Sequence, residues 1–490
     1  MKKVFLGILI ALVVSSSLLY FTAPDRSSPV PVLYWVTQDD PVKRETISLF
    51  KEWLQDEGLP PLEIKIDNSN ADATKKLTQG LSGVGADLFD VYTGQGALFA
   101  SSGMLHDVTD QAVAMGFGPD QTYPSVDSIF YEGRQYGFPR NVGVFVNWIN
   151  TEAFAKYGIP EPDHRWTWDD FERIGKAFVT AANPPGTRER SYFMRNVSIS
   201  TLRRGLGLSI FNETMTRCIL DDPRNAEVMR RYKRWVTDLR LIPTTAEQGA
   251  MAANSSRAGD GYFYLFTTGR YAMLNVPRWG LIRLRPMGKV PFRIVEPFHS
   301  GFPNSEMGAG MVSVYEGSKY KKEATLFLKF LTTKRFNLLV IRSGDSLPPV
   351  PKYINTEEFL KPVDHPDEWE AHKVFARVGP EIGIGYARSP FVLLGIVNRE
   401  DTKVSNSVIA GRIAPEDAGK ELAQLLNSEI DRTLEVNKNM RQKYDDLVKL
   451  QQQIDELRAN GEPVPLEWIS NPFHRVYYKA QGWLAEDSQS

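Results

Sequence analysis

Pro31-Val32-Leu33-Tyr34-Trp35-Val36, followed by Val42 to Leu54, decides how this chain is built. The first run is apolar and rich in β-forming residues, the pattern of a buried strand. Ile47, Phe50 and Leu54 then recur at helical spacing. Leu62-Glu63-Ile64-Lys65-Ile66 alternates as a second strand, Ala71 to Leu81 reads as a helix, and Leu88-Phe89-Asp90-Val91-Tyr92 is a third strand ending at Thr93-Gly94. Such alternation predicts an α/β fold with a mainly parallel sheet covered by helices on both faces. Ligands of these sheets sit beyond the carboxyl ends of the strands. Trp35 to Asp39 occupy that place at the end of the first strand, and Tyr92 to Gln95 at the end of the third.

Downstream, Val142 to Ile149 reads as a further apolar strand and Gly269 to Trp279 as a strand with a turn. Thr167-Trp168-Asp169-Asp170-Phe171 opens a helix, with Thr167 as N-cap and acids in the first turn. Asn225 to Leu239 is amphipathic, Val312 to Val314 is a short strand, and Lys321 to Thr332 carries Ala324, Phe327, Leu328 and Leu331 on one helical face. The alternation therefore resumes after a break, as a second lobe requires. From Val436 onward the character changes: Met440, Tyr444, Leu447, Leu450, Ile454 and Leu457 form one apolar stripe, ended by Asn460-Gly461. The aromatic tail from Trp468 to Trp483 is expected to pack onto the body, with a partner-binding or coiled-coil role for the extension as the alternative.

The chain has 490 residues, beyond the roughly 250–300 at which one core stops growing, so two domains are expected. With 58 basic and 59 acidic residues it has no basic field for nucleic acid. Met1-Lys2-Lys3 and the apolar residues from Val4 form an export signal. Ser15 and Ser17 would allow cleavage before Leu18. Val4 to Ala23 is also about long enough to cross a hydrocarbon core of roughly 30 Å, so residues 1–23 read as a signal peptide or an uncleaved anchor. Cys218 stands alone, which rules out an internal disulfide, and is expected to be a small buried hydrophobe.

Catalytic motifs are missing. No phosphate-binding loop, G-x-S-x-G or H-E-x-x-H occurs, and the six His are scattered, so neither a metal nor another cofactor is expected. A glycosidase needs two carboxyls about 5–10 Å apart. A pair such as Asp39 and Glu306 stays open on that ground, although Asp39-Asp40 has the look of a solvated helix start.

Several segments, in order, resemble family 1 extracellular solute-binding proteins, the maltose-binding-protein-like receptors of bacterial ABC importers. They are Ala86-Asp87 through Gly103-Met104-Leu105-His106-Asp107, Tyr136-Gly137-Phe138-Pro139 with Val146-Asn147-Trp148-Ile149-Asn150, Thr167-Trp168-Asp169-Asp170-Phe171, Gly269-Arg270-Tyr271-Ala272-Met273 with Trp279, Gly317 to Leu331, and Ala410 to Ala418. Ala86 departs from the family's usual Pro, the lipid-attachment Cys is missing, and the tail after Val436 is extra.

The resemblance implies two α/β lobes of the type II periplasmic-binding-protein fold, joined by a hinge of crossing strands near Val142, Ile294 and Ser346. Residues 31–141 and 295–345 would form the N-terminal lobe, 142–294 and 346–435 the C-terminal lobe, and 436–490 a helical extension. Trp35, Thr37, Gln38, Asp39, Tyr92, Thr93, Gly94, Arg140, Asn141, Trp279 and the Glu306–Gly310 loop, with Glu306 and Gly308, match positions that line the cleft. Rings would pack on sugar C–H faces while Asp, Glu, Asn and Arg meet hydroxyls. Core packing is the competing role for Trp35, Tyr92 and Trp279, and Arg140 leaves an acidic or phosphorylated sugar open. The expected activity is capture of a carbohydrate, an oligosaccharide by family habit, and its delivery to membrane permease subunits by a monomer. It would work in the periplasm or on the extracellular face of the membrane. A tethered sensor feeding a kinase or chemoreceptor, and a secreted carbohydrate-active enzyme, are the alternatives.

Overall fold

The computed structural model describes residues 30–92, 94–118, 121–123, 129–254, 261–288 and 290–485. The expected signal peptide or anchor at residues 1–23 lies outside these, as does Thr93. Among the described residues twelve strands are present: β1 (Val32–Val36), β2 (Glu63–Asp67), β3 (Leu88–Tyr92), β4 (Phe130–Tyr131), β5 (Arg134–Gln135), β6 (Phe138–Val144), β7 (Val146–Asn150), β8 (Tyr192–Met194), β9 (Tyr271–Val276), β10 (Phe292–Val295), β11 (Ser305–Val314) and β12 (Gly383–Ile384). They make a six-stranded sheet, a four-stranded sheet and the β4–β5 hairpin.

The opening stretch folds as its pattern predicts. β1 pairs in parallel with β2 and β3, and the helix Pro41–Asp56 connects β1 to β2. Asp40 caps this helix by accepting a hydrogen bond from the Lys43 backbone N–H. Phe50 then packs edge to face on Phe327 and tilted on Phe330 over the first sheet.

The apolar run Val142 to Ile149 is two strands. β6 belongs to the first sheet and β7 to the second, with the switch at Phe145. The chain returns between β10 and β11. The two passages run in opposite directions, so their strands pair antiparallel: β6 with β11 in one sheet, β7 with β10 in the other. For this reason the second sheet keeps only β8–β9 parallel, and the expectation of parallel strands applies mainly to β1–β3. Val142 and Leu347 also exchange backbone hydrogen bonds, which draws the segment after the helix Lys334–Ser343 alongside β6. Residues 306–310, expected as a loop, lie inside β11, because β12 pairs with Glu306, β6 with Met307–Gly310, and β3 takes over from Gly310 onward.

Thr167 forms a capping box with Asp170 at the start of Trp168–Ala182, as expected. Cys218 is fully buried, and burial pushes its thiol up to about 12. The stripe beyond Val436 lies on the helix Asn439–Ala459. Its first half packs on the second lobe, and its second half joins Val464, Ile469 and Tyr478 in a small core of their own. The aromatic tail does return to the body, with Phe473 and Tyr477 edge-on to Phe302.

Candidate functional site

The carboxyl edge of the first sheet holds a buried charge cluster around Asp90, which is 1% exposed. Thr37 donates to its Oδ2 at 2.6 Å, Lys43 Nζ lies 3.7 Å away, and Arg140 Nε lies 3.3 Å from Oδ1. Lys76 donates to the Asp90 carbonyl and stands over the Tyr92 ring. Arg140 reaches on to Asp345 at 3.2 Å, where Asn141 Nδ2 also donates at 2.6 Å. Burial alone would raise the Asp90 carboxyl, but Arg140, Lys43 and the Thr37 hydroxyl together hold it below the usual carboxylate range. Gly310 leaves the space this cluster needs: a Cβ there would sit 2.8 Å from Asn141 Oδ1 and 3.1 Å from Arg140 Nη2.

The expected residues thus divide. Thr37, Tyr92, Arg140 and Asn141 converge. Arg140 is a strand residue with its charge committed to two carboxylates, so it does not supply the free cation an acidic or phosphorylated ligand would need. Trp35 is fully buried with its ring 5.1 Å from Phe327; it belongs to the core, because side chains alternate along β1 and its face points under the helices. Gln38 is exposed. Asp39 is held by Arg44 at 2.7 and 2.8 Å beside the helix start. Gly94, with a φ of 98°, comes so close to Leu394 that a Cβ would lie 2.8 Å from its Cδ2. Trp279 packs partly buried against Phe263. Gly308 is paired with Gly143.

Glu306 lies in a second buried group. Burial raises its carboxyl above the usual range, although Arg204 and a hydrogen bond to Ser198 pull the other way. Arg204 in turn donates to the carbonyls of Ile384 (3.3 Å) and Gly385 (2.7 Å), fixing the segment that leads into Tyr386.

That segment borders a cavity of about 270 Å³ between the two halves of the molecule. The first half contributes Ala97, just after the Tyr92–Gln95 turn, and Phe130, Tyr131 and Glu132 of the hairpin. The other half gives Thr214 and Met215, and the connecting segment gives Gly385, Tyr386, Arg388 and Pro390. Lys443, Leu447, Ser470 and Pro472 close the remaining side. Among the described residues three non-glycines have left-handed backbone, and two of them, Glu132 (φ 53°) and Met215 (φ 57°), line this cavity. Such conformations cost of order 1–3 kcal/mol and concentrate where side chains are put to use. The sequence reading missed all these lining residues. Gly133 between Tyr131 and Arg134 was the available signal, since a glycine at that place supports a tight hairpin turn.

Among the described residues no group of three or more His, Cys, Asp and Glu could hold a metal, and no helix is long and apolar enough to cross a membrane.

A sequence profile described as bacterial extracellular solute-binding protein matches residues 47–336. Solved structures share the fold at low identity. An ABC substrate-binding protein of Listeria monocytogenes in complex with cycloalternan is 20% identical with a TM-score of 0.66, over 83% of this chain and 99% of its own. Maltose-bound MalE3 of T. maritima is 15% identical with a TM-score of 0.63, over 81% and 98%. A cyclic α-maltosyl-maltose binding protein of Arthrobacter globiformis is 15% identical with a TM-score of 0.64, over 83% and 100%. No curated protein sequence matches the chain.

Proposed function

The chain belongs to the bacterial extracellular solute-binding protein family, and from that premise we propose that it is the extracytoplasmic receptor of an ABC importer. It captures a carbohydrate between its two lobes, the first built on the six-stranded sheet with β6 up to Val144 and with β12, the second on the four-stranded sheet with β10 up to Val295, and delivers it to the permease. The observation that carries this reading is the inter-lobe cavity, where rings from separate segments (Phe130, Tyr131 and Tyr386) stand among the polar groups of Glu132, Lys443 and Ser470. Aromatic faces suit sugar C–H surfaces, and polar side chains suit hydroxyls. The similar structures solved with cycloalternan and with maltose support a carbohydrate as the solute class.

Ligand acts by stabilising the closed arrangement over the open one, which requires contacts made in only one of the two. Gly94, which lies close to Leu394 in this structure, is placed to make a contact of that kind. Catalysis is not part of the proposal. Asp345 is committed to Arg140 and Asn141, and Asp401 is gripped by both Nη atoms of Arg203 at 2.8 Å, so neither is placed as a free partner for Glu306.

A thermal-shift screen over mono- and oligosaccharides tests the reading. A ligand at 100 times its Kd adds about 2.7 kcal/mol to stability. If no sugar raises the melting temperature, the carbohydrate assignment falls. The apolar length of Val4 to Ala23 favours a second reading, a membrane-tethered sensor of the same fold. Sequencing the mature N-terminus separates the two, because a tethered sensor retains those residues.

A further inference from the structure

The L. monocytogenes relative is covered over 99% of its length by 83% of this chain, so about a sixth of the chain is additional to it. The helix Asn439–Ala459 and the segment that follows it are built into the second lobe. Glu213, 3% exposed, accepts from Gln451 at 2.8 Å, from Arg458 at 2.9 Å and from the Tyr478 hydroxyl. Asn471 Nδ2 donates to Ser209 Oγ at 3.0 Å and to the Phe211 carbonyl at 2.8 Å. Tyr444 packs edge-on at 5.0 Å against Phe391, at the end of the segment that carries Tyr386. One turn on, Leu447 faces the cavity, and Lys443 Nζ crosses to the other lobe, 3.3 Å from Glu132 Oε1 and 5.9 Å from the Tyr131 ring centroid.

Glu132 is an expensive residue where it stands. It and Gly133 (φ 76°) form a two-residue hairpin loop with positive φ at both positions, for which Asn-Gly is the favoured pair. Local folding does not explain a Glu here; a carboxylate at the mouth of the cavity, facing Lys443, does.

We infer that the C-terminal extension completes the ligand chamber, with Lys443 and Leu447 as its third wall and the Glu132–Lys443 pair as its rim, so that the chamber takes a short sugar whole and excludes long chains. This rests on the carbohydrate reading above. The volume of about 270 Å³ falls at the bottom of the range of roughly 300–1,000 Å³ typical of small-molecule sites, and a wall fixed to one lobe denies a longer chain an open end. The chemical class is therefore a mono- or disaccharide, whose hydroxyls are met by a carboxylate on one side and an ammonium on the other.

The test uses the full chain and calorimetric titration with glucose, maltose, maltotriose and maltohexaose, and with cellobiose and cellohexaose. A monosaccharide or disaccharide should bind at least about tenfold more tightly than the hexasaccharide of its series. Lys443→Ala with Leu447→Ala should weaken the short sugar by about tenfold and narrow that gap, with circular dichroism unchanged because both side chains are partly exposed. Glu132→Asn should leave the melting temperature equal or higher while lowering affinity, a split that a purely structural Glu132 cannot give. A hexasaccharide bound as tightly as the disaccharide, or wild-type affinity in both variants, overturns the inference and leaves the carbohydrate reading standing. If no sugar in the set binds, the carbohydrate reading falls and the inference goes with it.

Discussion

Replacing Arg140 by Met tests whether the buried cluster is held by charge or by packing. Met keeps much of the side-chain volume, so the change chiefly removes the guanidinium between Asp90 and Asp345, which are 1% and 7% exposed. Breaking a buried pair by deleting one partner costs about 3–5 kcal/mol, because the remaining charge is left uncompensated. Here Lys43 stays 3.7 Å from Asp90, and Asn141 still donates to Asp345, which places the expected loss near the lower limit, about 3 kcal/mol. Urea unfolding analysed by linear extrapolation reads this directly. The pH dependence supplies an independent check. In the wild type the Asp90 carboxyl is depressed below 3.8, so its contribution is fully present above that value and is lost as pH falls through the folded pKa. In Arg140→Met the carboxyl protonates more readily, and the difference between the two proteins should shrink from about pH 7 to about pH 4.5. A loss below about 1 kcal/mol, or one as large in acid as at neutrality, would refute the charge argument.

Acid should also destabilise the protein through His372. Its Nδ1 accepts from Arg278 Nε at 3.2 Å and its Nε2 faces Glu368 at 3.2 Å; burial and the Arg278 charge push it down to about 4. A depressed folded value means that stability is complete above about 6.5 and falls towards 4, by about 3 kcal/mol, so His372→Gln should flatten unfolding curves measured across that window. Glu368, brought to about 2 by Arg285 and His372 against its burial, adds a further loss below 4.5. Gly419→Ala should destabilise by about 1–3 kcal/mol in chemical denaturation despite the better helix propensity of Ala, since a Cβ would sit 1.9 Å from the Leu220 carbonyl oxygen; a neutral result would mean that the loop yields freely. Glu213→Ala removes the acceptor shared by Gln451, Arg458 and Tyr478 and should loosen the extension by about 3 kcal/mol, seen as faster proteolysis at the exposed link around Asn437; unchanged cleavage would place the attachment elsewhere.

The parts of the fold that were legible in sequence are those set by local periodicity. β1, β2 and β3, the capped helix at Thr167 and the stripe from Met440 to Leu457 each carry their own pattern, and each forms where it is expected. Residues 138–150 were harder, because β6 and β7 are both apolar and are separated by Phe145 alone; which sheet each joins is decided by β11 and β10, more than 140 residues away. The site shows the same division. Asp90 looks in sequence like one more strand residue, and only its pairing with Arg140, which in turn reaches Asp345 from across the fold, makes it the centre of the cluster. Trp35 carries two roles in sequence, because a ring at the end of a strand has the same signature whether it faces ligand or core; in the structure it is buried against Phe327. The chamber was least legible of all. Its rings and polar groups come from a two-residue hairpin, the segment after β12 and a helix beyond Val436, stretches that share no periodicity and meet only once both lobes and the extension are assembled. Backbone strain at Glu132 and Met215 is the local trace that this assembly leaves, and it marks the chamber more clearly than any motif in the chain.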